Sequence, residues 1–367
     1  MIYFCYFLLG LLIIRLLVAS INYLSFAYLP NATSLTSTTK VSILIPARNE
    51  EENIGILLAQ LSTFENSIFE IIVYNDYSTD NTESIIKHWA TLKPIIKFIN
   101  GQQPPTGWLG KNNACHQLAK AATGDILLFL DADVYVKKDL IKRSISYLQE
   151  CDLHLLSIFP KQLAKSFGEK ISVPLMNWIL LSLLPIFLIR KSKNKAFSAA
   201  NGQFMMFKTT TYKTIWPHEK FKSHQVEDIA IMRLFKQKGL ASDIRLGDED
   251  ISCRMYGGLN DAIEGFTKNI FQFFGNSILT TIFFGILTTI APFVVYLYMS
   301  FWWLIVYLVG IVCIRIFVIL ASQQAVVQNL LLVLPQHIIF LLIIIKGLIN
   351  QKQKKLIWKD RNILQDS

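Results

Sequence analysis

Long apolar segments with almost no charge stand near both ends of this 367-residue chain. Residues 1–29 contain one charged side chain, Arg15, and about 20 apolar residues are enough to cross a bilayer. The segment lacks the basic start and the small-residue cleavage site of a signal peptide, so we expect an uncleaved transmembrane anchor. A polar linker, residues 30–40, follows it.

A second apolar block, residues 277–348, is interrupted by Arg315 and has room for three further membrane spans. The expected spans lie near 278–298, 301–320 and 326–346. Lysine and arginine favour the cytoplasmic side of a membrane, yet three spans would separate the basic middle of the chain from the basic tail at 349–367. The number of spans and their orientation therefore stay open.

The middle of the chain, residues 40–275, is predicted to be a globular α/β domain. Four apolar runs alternate with segments of helical periodicity, which favours parallel strands joined by crossover helices. The expected strands are 41–47, 69–74, 94–99 and 124–130. Sheets of this kind bind ligands at the carboxyl ends of their strands. The polar clusters PARNEE, NDYSTD and DAD follow the first, second and fourth strands, so they should share one edge of the sheet.

The DAD cluster places Asp131 and Asp133 two residues apart at the end of a buried strand. Hard cations such as Mg²⁺ and Mn²⁺ prefer oxygen ligands, commonly one or two carboxylates together with substrate phosphates. A strand that ends in two carboxylates could hold one toward a sugar and the other toward a metal ion. The alternative is that Asp133 caps a helix predicted at 137–149.

Further candidate ligand-binding residues lie in the loops beside this cluster. Pro46, Arg48 and Glu50 line the first loop, and Glu50 is predicted to contact a nucleotide or its ribose. Lys111 follows GWLG and opens a helix, where a cation suits a bound diphosphate. The alternative for Lys111 is a solvated surface lysine.

Taken in order, the motifs PARNEE, NDYSTDNT, GWLGKNNA, DAD, HQVEDIAI and CRMYGG resemble those of family 2 glycosyltransferases. The resemblance covers residues 40–275 and implies an α/β nucleotide-diphospho-sugar transferase fold (GT-A, Rossmann-like) combined with transmembrane helices. Within that family, the chain is most similar to membrane-anchored enzymes that glycosylate lipids, including carotenoid, hopanoid and ceramide glycosyltransferases.

This resemblance implies roles for three of the aspartates. Asp133 and Asp131 would hold Mg²⁺ or Mn²⁺, with Asp133 as the more direct ligand and Asp131 also contacting donor hydroxyls. Asp76 would hydrogen-bond the base of the nucleotide. The chain departs from the family pattern at Asn75 and Tyr77, where an aspartate and a glycine are usual.

Two later motifs bear on the reaction itself. The resemblance places the catalytic base on Asp228 of the Glu227–Asp228 pair, although both carboxylates also suit a helix start. Arg254 is what remains of the family's QxxRW motif and would contact the diphosphate. Ile251 and Met255 replace its Gln and Trp, and the full motif is typical of processive synthases, so the chain is expected to transfer a single sugar.

Two segments inside the middle domain are predicted to lie at the membrane surface. Residues 171–189 are apolar, contain two prolines and are flanked by lysines and arginines, and residues 258–275 form a second candidate interfacial helix. The alternatives for 171–189 are a buried core helix or a true span, which would divide the active site.

The sequence therefore predicts a multi-pass protein of the inner or plasma membrane with a cytoplasmic catalytic domain. Its expected activity is the metal-dependent, inverting transfer of one sugar from a nucleotide sugar, most commonly a UDP-sugar, to a lipid hydroxyl. A polysaccharide synthase and a catalytically inert membrane scaffold are the alternatives. The net charge of +10 accompanies no nucleic-acid motif, so no nucleic-acid partner is expected.

Overall fold

The computed structural model describes residues 1–25, 27–31, 39–64, 68–353, 357–358 and 361–362. Most of the predicted linker and of the predicted basic tail lies outside the described residues. The chain divides into two compact units. The helical unit comprises Met1–Ala27, Gln162–Leu188 and Met255–Gln353, and the sheet unit includes Tyr28–Lys161 and Ile189–Arg254.

The strands and helices are numbered here in chain order. The strands are β1 (Val41–Ala47), β2 (Glu70–Asn75), β3 (Ile96–Asn100), β4 (Ile126–Leu130), β5 (Val134–Val136), β6 (Leu155–Phe159), β7 (Lys161–Gln162), β8 (Phe204–Lys208), β9 (Ser242–Leu246), β10 (Ile251–Cys253), β11 (Ile357–Trp358) and β12 (Arg361–Asn362). The helices are α1 (Ile2–Leu24), α2 (Ile54–Ser62), α3 (Thr82–Leu92), α4 (Gly110–Ala121), α5 (Lys138–Glu150), α6 (Phe167–Ser172), α7 (Pro174–Leu183), α8 (Phe187–Lys191), α9 (Thr209–Ile215), α10 (Pro217–Lys220), α11 (Glu227–Gln237), α12 (Leu259–Phe273), α13 (Ile278–Tyr298), α14 (Phe301–Ala321), α15 (Val326–Leu331) and α16 (Val333–Gln353).

The sheet unit is built on a seven-stranded sheet in the order β3-β2-β1-β4-β8-β6-β9. The four predicted strands, β1 to β4, pair in parallel, which confirms the α/β prediction. Strand β8 runs antiparallel to both β4 and β6, so the complete sheet is mixed. All five residues of β4 are buried, as expected for a central strand covered on both faces.

The carboxyl ends of the parallel strands meet at one edge of the sheet, as predicted. Arg48, just after β1, donates hydrogen bonds of 2.9 Å to the carbonyl oxygens of Asp76 and Tyr77, just after β2. The loop after β4 reaches the same edge because β4 pairs with β1. The edge therefore presents polar groups from the loops after three neighbouring strands, β2, β1 and β4.

A short antiparallel pairing brings a distant part of the chain to the DAD cluster. Strand β5 pairs with β10, and Cys253 lies opposite Val134. Cys253, the first residue of the CRMYGG motif, is thereby placed beside Asp133, although 120 residues separate the two positions along the chain.

Four helices of the helical unit are long and apolar enough to cross a membrane: Ile2–Leu24, Ile278–Tyr298, Phe301–Ala321 and Val333–Lys352. The first three match the expected spans, but the prediction that the last one begins near 326 is wrong. A break at Leu332 separates the six-residue helix α15 from α16. Pro335 has no N–H to donate to the carbonyl of Leu331, so a continuous helix through this point would lose that bond.

The two predicted surface segments are largely helical. Residues 171–189 are divided among parts of α6 and α8 and the ten-residue helix α7, which is too short to cross a bilayer alone. Helix α7 packs against α1, where Asn22 donates to the carbonyl oxygens of Leu181 at 2.9 Å and Leu184 at 2.8 Å. Residues 258–275 contain α12. That both segments lie at a membrane surface stays a prediction.

Candidate functional site

Lys111 and Asp131 form the centre of the candidate site. Lys111 lies in the first turn of α4, and its Nζ is 2.8 Å from each carboxylate oxygen of Asp131, which directly follows β4. Glu227 Oε1 lies 4.0 Å from the same Nζ. Burial alone would lower the pKa of Lys111, but the charges of Asp131 and Glu227 outweigh it and raise that pKa above its usual value. Lys111 is therefore a charged, paired lysine and not a solvated one.

Gly202 lies where three of the predicted charged side chains converge. Its N–H donates to Asp228 Oδ2 at 3.0 Å. A Cβ at this position would meet Lys111 Nζ at 3.3 Å, Glu227 Oε1 at 3.7 Å and Asp228 Oδ2 at 3.8 Å. Phe204 pairs with Leu130, which is why the Asn-Gly-Gln turn before β8 lies beside the DAD cluster.

The Glu227–Asp228 pair begins α11, and burial raises the pKa of both carboxyl groups. Burial raises the pKa of Glu227 to about 7, with Lys111 opposing and Asp228 reinforcing the shift. Burial also raises the pKa of Asp228, although the N–H groups of Ile229 and Gly202 partly counteract it. Both carboxylates occupy the first turn of α11, and Glu227 Oε1 also lies 4.0 Å from Lys111 Nζ. That Asp228 is the catalytic base stays a prediction.

Asp133 is oriented by a buried thiol. Cys253 Sγ donates to Asp133 Oδ2 at 3.3 Å, and Gln203 Nε2 donates to Cys253 Sγ at 2.8 Å. Burial, followed by the charges of Asp131 and Glu50, raises the pKa of Asp133 to about 7. The residue does not cap α5, whose N-cap is Lys137 without any side-chain capping bond.

The carboxylates fit a divalent cation whose other ligands would be oxygens of a bound phosphate. Asp133 Oδ1 is buried and has no hydrogen-bond partner among the described residues, so it is free to accept a cation. Within the residues that the structure describes, no three His, Cys, Asp or Glu side chains are grouped to hold a metal ion by themselves. Mg²⁺ is commonly bound by one or two carboxylates plus substrate phosphates, which matches this donor set.

The remaining predicted ligand residues lie in the loops around this cluster. Asp76 is 2% exposed, and its N–H donates to the carbonyl oxygen of Ala47 at 2.8 Å. Glu50 accepts a 2.9 Å bond from Asn53 Nδ2. Pro46 lies within β1, and Arg254 directly follows Cys253 at the end of β10. Nucleotide-sugar binding by Pro46, Arg48, Glu50, Asp76 and Arg254 stays a prediction.

A family model described as glycosyl transferase family 2 matches residues 42–215. These residues form a family 2 glycosyltransferase domain. The match includes β1 to β4 and the Lys111–Asp131 ion pair, while Glu227 and Asp228 lie just beyond it. The resemblance inferred from the motifs is thereby confirmed.

Curated relatives of the glycosyltransferase domain carry a more specific name. A 4,4'-diaponeurosporenoate glycosyltransferase from Staphylococcus haemolyticus is 29% identical over 237 residues, covering 64% of this chain and 62% of the relative. The protein of the same name from Staphylococcus aureus strain USA300 is 28% identical over 236 residues, covering 63% of this chain and 60% of the relative. The chain thus spans less than two thirds of the length of these relatives.

A solved structure extends the fold comparison to nearly the whole chain. The mannosyltransferase PcManGT from Pyrobaculum calidifontis, in complex with GDP-Man and Mn²⁺, has a TM-score of 0.55 and 15% identity, covering 95% of this chain and 97% of that one. At this identity the likeness concerns the fold alone. It confirms the predicted combination of a GT-A-like domain with helices able to span a membrane.

Three residues of the site were not predicted from the sequence: Gly202, Gln203 and Cys253. The only local signal was the Asn-Gly-Gln turn ahead of an apolar run at 204–207. Cys253 lies inside the CRMYGG motif, but the family's QxxRW pattern specifies no residue type at this position.

We expect Gly202→Ala to lower the kcat/KM of the glycosyltransferase domain by about tenfold, a change of about 1.4 kcal/mol. The added methyl carbon would lie only 3.3 Å from Lys111 Nζ, so the lysine would have to shift. The methyl group would also narrow the space in front of Asp228. The thermal unfolding temperature should change little. Gly10→Ala is the matched control, because a Cβ there meets nothing within 4 Å. Unchanged kinetics in Gly202→Ala would show that substrate does not occupy this space.

Proposed function

We propose that the chain is a membrane-bound, inverting glycosyltransferase that moves one sugar from a nucleotide sugar, expected to be a UDP-sugar, to a lipid hydroxyl. The observation that carries this proposal is the position of Asp228. Its carboxylate is fixed by the Gly202 N–H within the group formed by Lys111, Asp131 and Glu227. A base and a cationic site for a leaving group thus stand together.

Asp228 is proposed to be the general base. It takes the proton of the acceptor hydroxyl as that oxygen forms a bond to the anomeric carbon. The bond between that carbon and the diphosphate breaks, and its electron pair leaves on the phosphate oxygen. A base is most effective when its pKa lies near the working pH, and burial raises the pKa of Asp228 in that direction. Attack from the face opposite the leaving group inverts the anomeric centre.

Lys111 is proposed to offset the negative charge that develops on the diphosphate. It is held charged by Asp131 and Glu227, and charged groups already in place need no reorganisation during the reaction. Arg254, at the end of β10, is expected to contact the same diphosphate. Asp76 and the first loop are expected to bind the nucleoside.

Asp133 and Asp131 would hold Mg²⁺ or Mn²⁺, with Asp133 as the more direct ligand. When bound, such an ion acts as a Lewis acid that neutralises charge on the leaving diphosphate. The unpartnered Oδ1 of Asp133 supports this assignment. The presence of Mn²⁺ with GDP-Man in the structure of PcManGT supports it for the fold.

A lipid acceptor is supported by the names of the curated relatives and by the four helices that could cross a membrane. We propose that residues 171–189 and 258–275 lie on the cytoplasmic leaflet and guide the acceptor, with the sheet unit in the cytoplasm. The loss of Gln and Trp at Ile251 and Met255 supports a single transfer over chain extension.

Release of nucleoside diphosphate tests whether the chain is an enzyme. Purified protein in detergent is incubated with UDP- and GDP-sugars and Mn²⁺, with and without a total lipid extract from the source cells. We expect release that depends on one donor and rises when lipid is added. Absence of release from every donor would favour an inert scaffold, and release that stays the same without lipid would contradict a lipid acceptor.

A further inference from the structure

Two arginine side chains of the helical unit converge on the indole ring of Trp178. The guanidinium carbon of Arg15 lies 5.1 Å from the ring centre, and that of Arg315 lies 4.4 Å from it. Arg15 Nη2 donates to Ser182 Oγ at 3.0 Å, and Arg315 Nη1 donates to Gln336 Oε1 at 3.0 Å. Two positive charges therefore share one aromatic neighbour in helices that could span a membrane.

Among the residues that the structure describes, no carboxylate is paired with either arginine. Helices α1, α7, α13, α14 and α16 have no Asp or Glu in their sequences, and neither arginine forms an ion pair within the described part of the chain. The carboxylate of Glu169 in α6 accepts bonds from Lys165 N–H and Ser166 Oγ at its own helix start. Glu264 in α12 lies 3.7 Å from Lys346.

Each guanidinium group also has one N–H donor that makes no hydrogen bond to the described residues. The Nε of Arg15 and the Nε of Arg315 are buried and have no hydrogen-bond partner among the described residues. An aromatic face attracts a cation but does not accept the directional bonds of a planar guanidinium as an oxyanion does. Ionisable groups in a membrane are costly and are normally paired, so the missing partner is expected to be an anion.

The position of the arginines favours an anion that is attached to an apolar group. Arg15 lies nine residues before the end of α1 and Arg315 six residues before the end of α14, about 14 Å and 9 Å along the helix axes. Apolar side chains such as Leu17, which is 55% exposed, cover the outer surface nearby. A small hydrated anion would have to lose its water to enter, whereas the head of a lipid is brought by its tail.

We propose that Arg15 and Arg315, together with Trp178, form a binding site for the oxyanionic head of an amphiphilic lipid, a carboxylate or a phosphate monoester. Arg15 is half-buried, so the head group would reach it first. Arg315 is 4% exposed and would supply the second positive charge from the interior of the helical unit. The site consists of residues of the helical unit only, and it does not depend on the sugar-transfer chemistry.

Binding of matched amphiphiles to the full-length protein tests this site. Isothermal titration in uncharged maltoside micelles would compare dodecyl phosphate, laurate, dodecanol and inorganic phosphate. We expect saturable binding of dodecyl phosphate or laurate, and at least about tenfold weaker binding of dodecanol and of inorganic phosphate, a difference of about 1.4 kcal/mol. The tighter of the two anions identifies the head group. Equal binding of dodecanol, or inorganic phosphate binding as tightly as the amphiphiles, would overturn the proposal.

Substitutions locate the binding on these residues. Arg15→Gln and Arg315→Gln should each weaken anionic amphiphile binding by about tenfold or more, and Arg315→Lys should recover part of it because the charge remains. Arg233→Gln in α11 of the sheet unit is the matched control and should bind like the wild type. Undiminished binding in the Arg15→Gln/Arg315→Gln double variant would overturn the proposal. If the double variant fails to fold, the head-group comparison on the wild-type protein still decides it.

Discussion

Asp133→Asn should reduce sugar transfer by a factor on the order of 10² or more and weaken donor binding when Mg²⁺ or Mn²⁺ is supplied. The substitution replaces a carboxylate whose Oδ1 has no protein partner among the described residues with an amide that carries no charge. Since the proposed cation would join protein and diphosphate, both the rate and the affinity for the donor should fall. Calorimetric donor titrations and initial rates on the same purified variant measure the two effects.

Asp139→Asn provides the matched control for this change. Asp139 is an exposed aspartate in the first turn of α5 and should tolerate the amide with wild-type rates. Metal dependence is tested separately by adding excess chelator to the wild-type enzyme. Full activity in chelator would contradict the assignment of Asp133 and Asp131 to a divalent cation.

Asp228→Asn should lower the turnover number by roughly 10² to 10⁴ while leaving the dissociation constant of the donor nearly unchanged. The amide oxygen of an asparagine can still accept the bond from the Gly202 N–H, so the local geometry should persist. The amide cannot take a proton at neutral pH, so the loss should be confined to the chemical step. The same calorimetric and kinetic measurements separate it from Asp133→Asn.

Glu227→Gln is the companion to this experiment because Glu227 is adjacent, buried and close to Lys111. We expect it to retain more of the turnover number than Asp228→Asn. Donor binding lost in Asp228→Asn as severely as in Asp133→Asn, or wild-type turnover in Asp228→Asn, would show that Asp228 is not the base. Glu227 would then be the next candidate.

Local sequence patterns were sufficient for the parallel half of the sheet. Strand β1 has the predicted limits, and β2, β3 and β4 differ by one or two residues at their ends. Each is a short apolar run bounded by polar or turn residues, and alternation with helices determines its direction. The position of Asp131 at the carboxyl edge of the parallel strands followed from these two features.

The rest of the site depends on pairings between distant segments, which no local pattern reveals. Strand β8 consists of four apolar residues, 204–207, followed by Lys208, and it has no helical or alternating signature of its own, yet it places Gly202 against Lys111. The antiparallel pairing of β5 with β10 brings Cys253 to Asp133. Hydropathy located the last helix that could span a membrane but missed its start, because Leu332 and Pro335 are apolar whether or not the helix is broken there.

Mass spectrometry of the lipid product is the most direct test of the proposed activity. The purified chain is reconstituted with lipid extract, Mn²⁺ and the donor that supports nucleoside diphosphate release, with Asp228→Asn as the inactive comparison. We predict a lipid that has gained one sugar residue in the wild-type reaction and is absent from the Asp228→Asn reaction. A ladder of lipids bearing several sugars, a water-soluble polysaccharide, or no glycosylated lipid despite donor consumption would contradict the transfer of a single sugar to a lipid.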